Sequence, residues 1–380
     1  MSCPKRPSVA RKVRKVSART SGFWPALPLL ALLGLPLLHW DSARGRPSLR
    51  GALAYGAEAG RSVPVIDLHV DLPYQVGYKG RAFATGSGEF RAADLQPAGL
   101  AGVVLPLFVP KQAAPSGRTV REFEASYARV FSGILATRPY ALPGCGVHRA
   151  GTEARGVETW LAFEGSEPLA AEDHVLRPWV VRGVRVFGLV HAEHNDLAES
   201  SGETSTGRGL SPRGERFVRA VYALGGLVDV SHASDEATSE VLDIARELAR
   251  PVLATHSNAR ALAAHPRNLT DAHIRAIGAS GGVIGVNFHQ RFLDPGTGHA
   301  TLREVVSMVA HLARIGGDGV VAIGSDFEGG IRPVEELKGA QRYQVLARAL
   351  AEAGFSPDQV ARFLAKNARR VLCGGPASSL

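Results

Sequence analysis

From residue 63 onward, short apolar runs rich in β-branched residues alternate with stretches whose apolar positions recur at helical spacing. The apolar runs cover residues 63–68, 100–108, 157–163, 184–190, 226–230, 251–255, 282–287 and 319–324. The helical stretches between them include 120–136, 212–224, 233–248, 270–277 and 302–315, the alternation of βα units around a parallel sheet. Ser211-Pro212 supplies a cap and a first-turn proline, and Thr270-Asp271 a similar start. The runs are mostly continuous rather than alternating, as in strands buried on both faces. Eight of them predict an α/β fold, a (β/α)8 TIM barrel. A doubly wound open sheet is the runner-up, but no GxGxxG follows the first run, as a dinucleotide site would require. The segment 333–372 predicts two further C-terminal helices that close the bottom or side of the barrel, and there is no internal repeat.

Charge changes the picture only at one end. The 380-residue chain carries 44 Lys+Arg against 35 Asp+Glu, a formal +9. Residues 1–22 hold seven basic side chains and no acidic one, and residues 41–61 hold four Arg against Asp41 and Glu58. Those two segments account for the whole excess, so residues 62–380 are neutral. A nucleic-acid footprint belongs on the folded domain, so nucleic acid is excluded as the expected partner. With 45% hydrophobic residues the remainder can bury a large core. Cys3, Cys145 and Cys373 are an odd, scattered set that suggests neither a disulfide framework nor a CxxC metal or redox motif.

Residues 23–40 form an uncharged, Leu- and Ala-rich stretch behind the basic block, the layout of an export signal or signal anchor. Pro25, Pro28 and Pro36 weaken it as a helix, and the nearest small-x-small site is Ala52-Leu53-Ala54. The chain thus divides into a basic n-region (1–22), a hydrophobic signal or anchor (23–40), a linker (41–62), a barrel (63–372) and a tail (373–380). The expected location is outside the cytoplasm, periplasmic or extracytoplasmic, with residues 23–40 in contact with the membrane; cleavage and retention as an anchor both stay open. A start codon placed too far upstream is the alternative. The C-terminus CGGPASSL lacks the hydrophobic tail of a lipid-anchor signal.

Polar residues cluster at the ends of the apolar runs: His69-Val70-Asp71, Glu164, His191, His232, His256 and Asp326. In a parallel barrel all these ends meet at one rim, so residues far apart in sequence converge on one cavity. Three His and two carboxylates exceed what one tetrahedral zinc takes from protein and suit two metals bridged by a carboxylate. Any one His alone reads as a hydrogen-bonded core residue; several strand ends presenting His, Asp or Glu together do not. His194, His265, His273, His299 and His311 fall in loops or helices and read as structural, and His289 as a pocket wall. Asp67 and Asp229, inside their strands, read either as backbone-satisfied carboxylates or as groups orienting a ligand imidazole. The polar loop 195–209 reads as a lid or wall, or as a plain flexible loop.

The stretches IDLHVDLP (66–73), FEG (163–165), GLVH (188–191), GLVDVSH (226–232), ATHSNARAL (254–262), HPRNLTD (265–271), GGVIGVN (281–287) and IGSDFEGG (323–330) resemble, in order, the membrane (renal) dipeptidase family of zinc metallopeptidases built on an amidohydrolase-like barrel. The resemblance implies two Zn²⁺ per chain, His69 and Asp71 on one, His232 and His256 on the other, and Glu164 bridging. It implies that His191 contacts the scissile carbonyl oxygen, Arg267 holds the substrate's terminal carboxylate and Asp326 shuttles the proton. The implied activity is hydrolysis of small dipeptides with a free C-terminal carboxylate by a metal-bridging hydroxide. Val70, Val190 and Glu328 depart from the family's usual Asn, Thr and Asp; none is a ligand position, so they bear on substrate preference. The rivals are a barrel amidohydrolase acting on N-acyl amino acids and a non-catalytic, membrane-tethered binding protein. The assembly state is left open, a homodimer included.

Overall fold

A computed structural model describes residues 62–83, 87–110, 118–135, 140–141, 144–145, 156–169 and 171–374. The n-region, the hydrophobic segment, nearly all of the linker and residues 375–380 lie outside the described residues. Nine parallel strands run in chain order: β1 Val65–Asp67, β2 Leu100–Leu107, β3 Tyr140–Ala141, β4 Val157–Glu164, β5 Val184–Gly188, β6 Leu227–Asp229, β7 Val252–Ala254, β8 Val283–Val286 and β9 Val321–Ile323. β1 pairs with β2 and β9, β2 with β4, and each strand from β4 to β8 with its successor, closing an eight-stranded barrel. The two-residue β3 adds an outer pairing at the start of β4. Every barrel strand coincides with one of the eight apolar runs to within two residues at either end, and β4 runs one residue further, to Glu164.

The main helices are α1 Leu72–Gly77, α2 Val120–Val130, α3 Asp173–Val181, α4 Pro212–Ala223, α5 Asp235–Glu247, α6 Asp271–Ala279, α7 Leu302–Gly316, α8 Tyr343–Glu352, α9 Pro357–Ala361 and α10 Asn367–Cys373. Their starts are set by caps. Ser211 accepts the Gly214 N–H, Thr270 the His273 N–H and Ser234 the Ala237 N–H. The last of these explains why α5 begins at Asp235 rather than at 233. Periodicity did not single out α3, which carries Pro178 and packs only one short face, Leu176 and Trp179.

Burial divides the core in two. Ile66, Val104, Trp160, Val186, Leu227, Leu253, Val283 and Ala322 point into the barrel, and Ala365, Ala368, Val371 and Leu372 of the C-terminal helical segment pack against them. That segment is α9, a π-helical turn at Arg362–Lys366 and α10. Asn367 Nδ2 donates to Asp318 O (2.7 Å) and Val321 O (2.8 Å), and Arg370 donates to Gly281 O and Gly319 O. These acceptors precede or begin β8 and β9, so the segment plugs the end of the barrel where the strands start. The predicted closure by C-terminal helices is therefore at the bottom. Among the described residues no helix is long and apolar enough to cross a membrane.

One expectation is corrected here. Cys145 and Cys373, 228 residues apart, form a disulfide with Cα atoms 5.5 Å apart. Separation in sequence hid the pairing, because α10 crosses beneath the barrel where the chain enters β4, a contact made only by the tertiary fold. The bond closes a loop that holds β4 to β9, six of the eight barrel strands, and ties the plug to it. Cys145→Ser should lower unfolding stability by about 2–5 kcal/mol in denaturant titrations, and reductant should then have no further effect. Equal stability of the native chain with and without reductant would show that the bond contributes nothing.

Candidate metal centre

All eight sequence-derived site residues lie at the end of the barrel opposite the plug, Glu164 as the last residue of β4 and the others on the segments that follow β1, β5, β6, β7 and β9. Close approach of backbones builds this rim. A Cβ on Gly285 or Gly324 would fall 1.9 or 1.8 Å from Thr255 O, so only glycine lets β8 and β9 end against the turn that bears His256. A Cβ on Gly329 would stand 2.6 Å from Asp71 Oδ2 and 2.7 Å from Asp326 Oδ1. His232, Asp326 and Glu328 have φ of +69°, +65° and +71°. Each such non-glycine residue costs about 1–2 kcal/mol, strain that sits where side chains are turned into the cavity.

Glu164 is the centre of the cluster. Its Oε1 lies 3.0 Å from His232 Nε2, 3.5 Å from His69 Nε2, 3.7 Å from His256 Nε2 and 3.9 Å from His191 Nε2. His69 Nε2 is also 3.5 Å from Asp71 Oδ2. Three sets of potential ligand atoms come within 4.8 Å of one another: His69, Glu164 and His256; Glu164, His191 and His232; and His69, Asp71 and Asp326. The side chains of His69, Asp71, Glu164 and His256 are almost fully buried, whereas that of His191 is 31% exposed and faces the mouth.

The electrostatics follow from this crowding. Burial opposes ionisation of Glu164, but the imidazoles of His191, His69 and His232 hold its carboxyl well below the usual range. Burial, reinforced by the charges of Asp71 and Glu164, lifts Asp326 to about 8. Burial and the neighbouring cations keep His232 and His256 neutral, far below the ordinary imidazole value. Burial also lowers His69, yet Glu164 and Asp71 outweigh it and raise this ring to about 10, drawing positive charge to the point between the carboxylates.

A divalent metal fits this donor set. His69 Nε2 is buried with no hydrogen-bond partner. His232 Nε2 and His256 Nε2 are 2.9 Å apart, so at most one can carry a proton toward the other. Imidazole nitrogens gathered on one carboxylate oxygen are the N/O ligation suited to zinc, whose binding displaces any ring proton that stands in its place. The group holds a metal through His, Glu and Asp side chains.

Arg267 is 92% buried. Its Nη2 donates to His256 O at 3.3 Å, its guanidinium lies over the Phe292 ring, and no carboxylate of the described residues reaches it within ion-pair distance. It is therefore not a rim salt bridge but a buried cation without an anion, and burial lowers its pKa. His265 Nδ1 accepts the Arg267 N–H at 3.1 Å, so this His, read as merely structural, helps shape the hook. His289 stands against Phe292 at the mouth, as expected of a wall residue. His311 pairs with Asp271 and His273 with Ser239, both away from the cluster, and His148 lies outside the described residues.

Four contributors escaped the sequence reading. Phe108 packs 4.6 Å from the His191 ring and Tyr74 6.0 Å from Phe108, an aromatic wall beside the exposed imidazole. Asn287 Nδ2 donates to Asp326 Oδ2 at 2.9 Å. Thr255, immediately before His256, places its hydroxyl among His69, His256 and Asp229. The last signal was present in the ATHSN stretch, but a threonine beside a histidine has no meaning until the strands are neighbours. Asp67 accepts N–H groups of His69 and Ser325 and the Tyr343 hydroxyl, so it is satisfied as a buried carboxylate and ties the turns of β1 and β9 together.

The loop 195–209 is a wall. Ser200 Oγ donates to His191 O at 2.5 Å, and the Ser201 N–H donates to His232 O at 2.7 Å. The fully buried Glu199 organises it, accepting the hydroxyl and N–H of Thr206, the Ser205 hydroxyl and the Gly209 N–H. These bonds, the Thr206 hydroxyl foremost, hold its pKa down to about 2. The depressed value means the loop's stabilisation is complete above the ordinary glutamate value of 4.5 and lost as pH falls toward 2. Glu199→Ala should accelerate hydrogen exchange at the Thr206 and Gly209 amides and cost about 1–3 kcal/mol. Unchanged exchange would show that the wall stands without it.

Comparison with known proteins agrees with this geometry. The family model described as membrane dipeptidase (peptidase family M19) matches residues 57–374. An uncharacterized dipeptidase of Schizosaccharomyces pombe is 31% identical over 217 residues, 57% of this chain and 52% of that protein. Dipeptidase tcpJ of Claviceps purpurea is 34% identical over 214 residues, 56% of this chain and 49% of that protein. The match thus spans about half the length of these curated relatives. Among solved structures, a metallopeptidase from Rhodobacter sphaeroides liganded with a phosphinate mimic of L-Ala-D-Ala superposes with a TM-score of 0.71 at 22% identity, covering 82% of this chain and 99% of that one. The probable dipeptidase PvdM of Pseudomonas aeruginosa gives 0.72 at 22% identity, covering 85% and 98%. At such identity these superpositions show the shared barrel.

Proposed function

Because this chain belongs to the membrane dipeptidase family, we propose that it is a zinc-dependent dipeptidase acting on dipeptides with a free C-terminal carboxylate. The observation that carries this reading is the Glu164 carboxylate ringed by four imidazole nitrogens, with the unpaired guanidinium of Arg267 buried beside it. His69 and Asp71 would hold one zinc ion and His232 and His256 a second, with Glu164 between them. Zinc bound there would supply Lewis acidity, enough to lower the pKa of a water to about 7 and to polarise the peptide carbonyl.

The chain's own residues do the rest. Arg267 receives the substrate's terminal carboxylate through its planar fork, which fixes the scissile bond over the cluster. His191, the most open of the four imidazoles, donates through Nε2 to the carbonyl oxygen as it becomes an oxyanion. Asp326 takes the proton of the attacking water at one carboxylate oxygen while Asn287 steadies the other, and it then delivers that proton to the leaving amine. The wall of residues 195–209 and the aromatic pair Tyr74 and Phe108 flank the opening and limit the length of peptide that enters.

Export is supported by the basic-then-apolar layout of residues 1–40 and by the Cys145–Cys373 bond, since disulfides belong to oxidising compartments. In this reading residues 23–40 contact the membrane. Fractionation of expressing cells should recover the protein outside the cytoplasm; recovery wholly in the cytosol, with both thiols free, would overturn export.

Hydrolysis of a dipeptide panel, including D-residues at the C-terminal position, should cease with chelator and return with zinc, and N-acyl amino acids should be poor substrates. Asp326→Asn should lower kcat by about 10²–10⁴ and His191→Ala by about 10²–10³. Arg267→Met should act mainly on KM, by about 10–100-fold. Protein that holds zinc yet cleaves no dipeptide, with Asp326→Asn no different from the native chain, would refute the assignment.

A further inference from the structure

Thr255 is fully buried at the end of β7, and its hydroxyl has more neighbours than one proton can serve. Oγ1 lies 2.5 Å from Asp229 Oδ2, 2.9 Å from His256 Nδ1 and 3.2 Å from His69 Nδ1, with the Ser231 hydroxyl more distant at 3.4 Å. Asp229 is an acceptor here. Its Oδ1 already takes the N–H groups of Ser231 and Thr255, both at 2.9 Å. The hydroxyl proton therefore goes to Asp229, and the two lone pairs of Oγ1 are left facing the two Nδ1 atoms. An oxygen in that state can only accept, so both Nδ1 atoms carry protons and Nε2 is the nitrogen each ring has left for a metal. Those Nε2 atoms are the ones that face Glu164, at 3.5 and 3.7 Å.

We propose that Thr255, held by Asp229, is a positioning residue that sets the tautomer and the ring orientation of His69 and His256 together. The inference rests on the two-zinc reading above, in which these rings belong to different ions. One hydroxyl then prepares a ligand of each ion, and the ring centroids, 3.8 Å apart, are kept in register by a shared acceptor. Asp229 thus does orient ligand imidazoles, but through an intervening hydroxyl and on β1 and β7 rather than on its own strand. Ordinary metal sites give each histidine its own acceptor; here one hydroxyl faces the Nδ1 atoms of both rings.

The test uses the full chain and two readouts. In ¹⁵N-histidine spectra of the metal-free native protein, His256 should show the Nδ1–H tautomer, and Thr255→Val should lose that pattern. A His256 found in the Nε2–H tautomer in the native chain would overturn the relay whatever the metal does. In zinc titrations against a chromophoric chelator, Thr255→Val should weaken both bound equivalents by about 10–100-fold, and Thr255→Ser, which keeps the hydroxyl, should restore them. Native-like affinity of Thr255→Val for both equivalents, or failure of Thr255→Ser to restore it, would overturn the relay. A native chain that binds fewer than two zinc ions yet shows the His256 Nδ1–H tautomer would instead overturn the two-zinc reading and leave the tautomer assignment upheld.

Discussion

Burying the Glu164 carboxylate is unfavourable unless positive charge or proton donors surround it, and in this barrel that requirement organises the whole upper rim. Four imidazoles from four different turns point their Nε2 atoms at one oxygen within 3.0–3.9 Å. Only the His232 ring comes within 3.0 Å of that oxygen, and the buried His69 Nε2 finds no hydrogen-bond partner at all. A bound cation resolves both deficits at once. The strained backbone at His232 and Asp326, the Cβ-free Gly329 and the lifted proton affinity of Asp326 are consequences of crowding these groups around a single charge.

The two ends of the barrel divide the labour. At the bottom, side chains of the eight barrel strands cluster with Ala365, Ala368, Val371 and Leu372, and a disulfide fastens that plug to Cys145 beside Trp160 of β4. Nothing there is chemically poised. At the top, apolar packing gives way to buried polar groups, several of them satisfied by specific neighbours: Asp67 by two amides and Tyr343, Asp229 by two amides and Thr255, Glu199 by the loop it anchors. Rigidity at one end thus permits concentrated charge at the other, because the rim residues have little freedom to relax away from one another.

Much of this was legible in the chain. Continuous apolar runs such as VVLPLF and WLAFE read as strands covered on both faces, and six of the eight runs end at or beside a residue of the site. The eight runs therefore located the strands, their ends located His69, Asp71, Glu164, His191, His232, His256 and Asp326, and the motif order identified the family. Helix caps at Ser211 and Thr270 were readable for the same local reason: a side-chain oxygen serving an amide three residues on needs no information from elsewhere.

The sequence by itself determined the elements, the fold class and the identities of the groups that could carry the chemistry, because those depend on periodicity and residue type over a few positions. Only the tertiary structure decided how these groups share partners. It brought Cys145 to Cys373, turned loop 195–209 from a possible lid into a wall pinned to the backbones of His191 and His232, and left Arg267 without a carboxylate. It also placed the Thr255 hydroxyl between two imidazoles and Asp229. Each of these outcomes hinges on ångström-scale distances between strands that are neighbours in space and distant in sequence, where no local pattern constrains them.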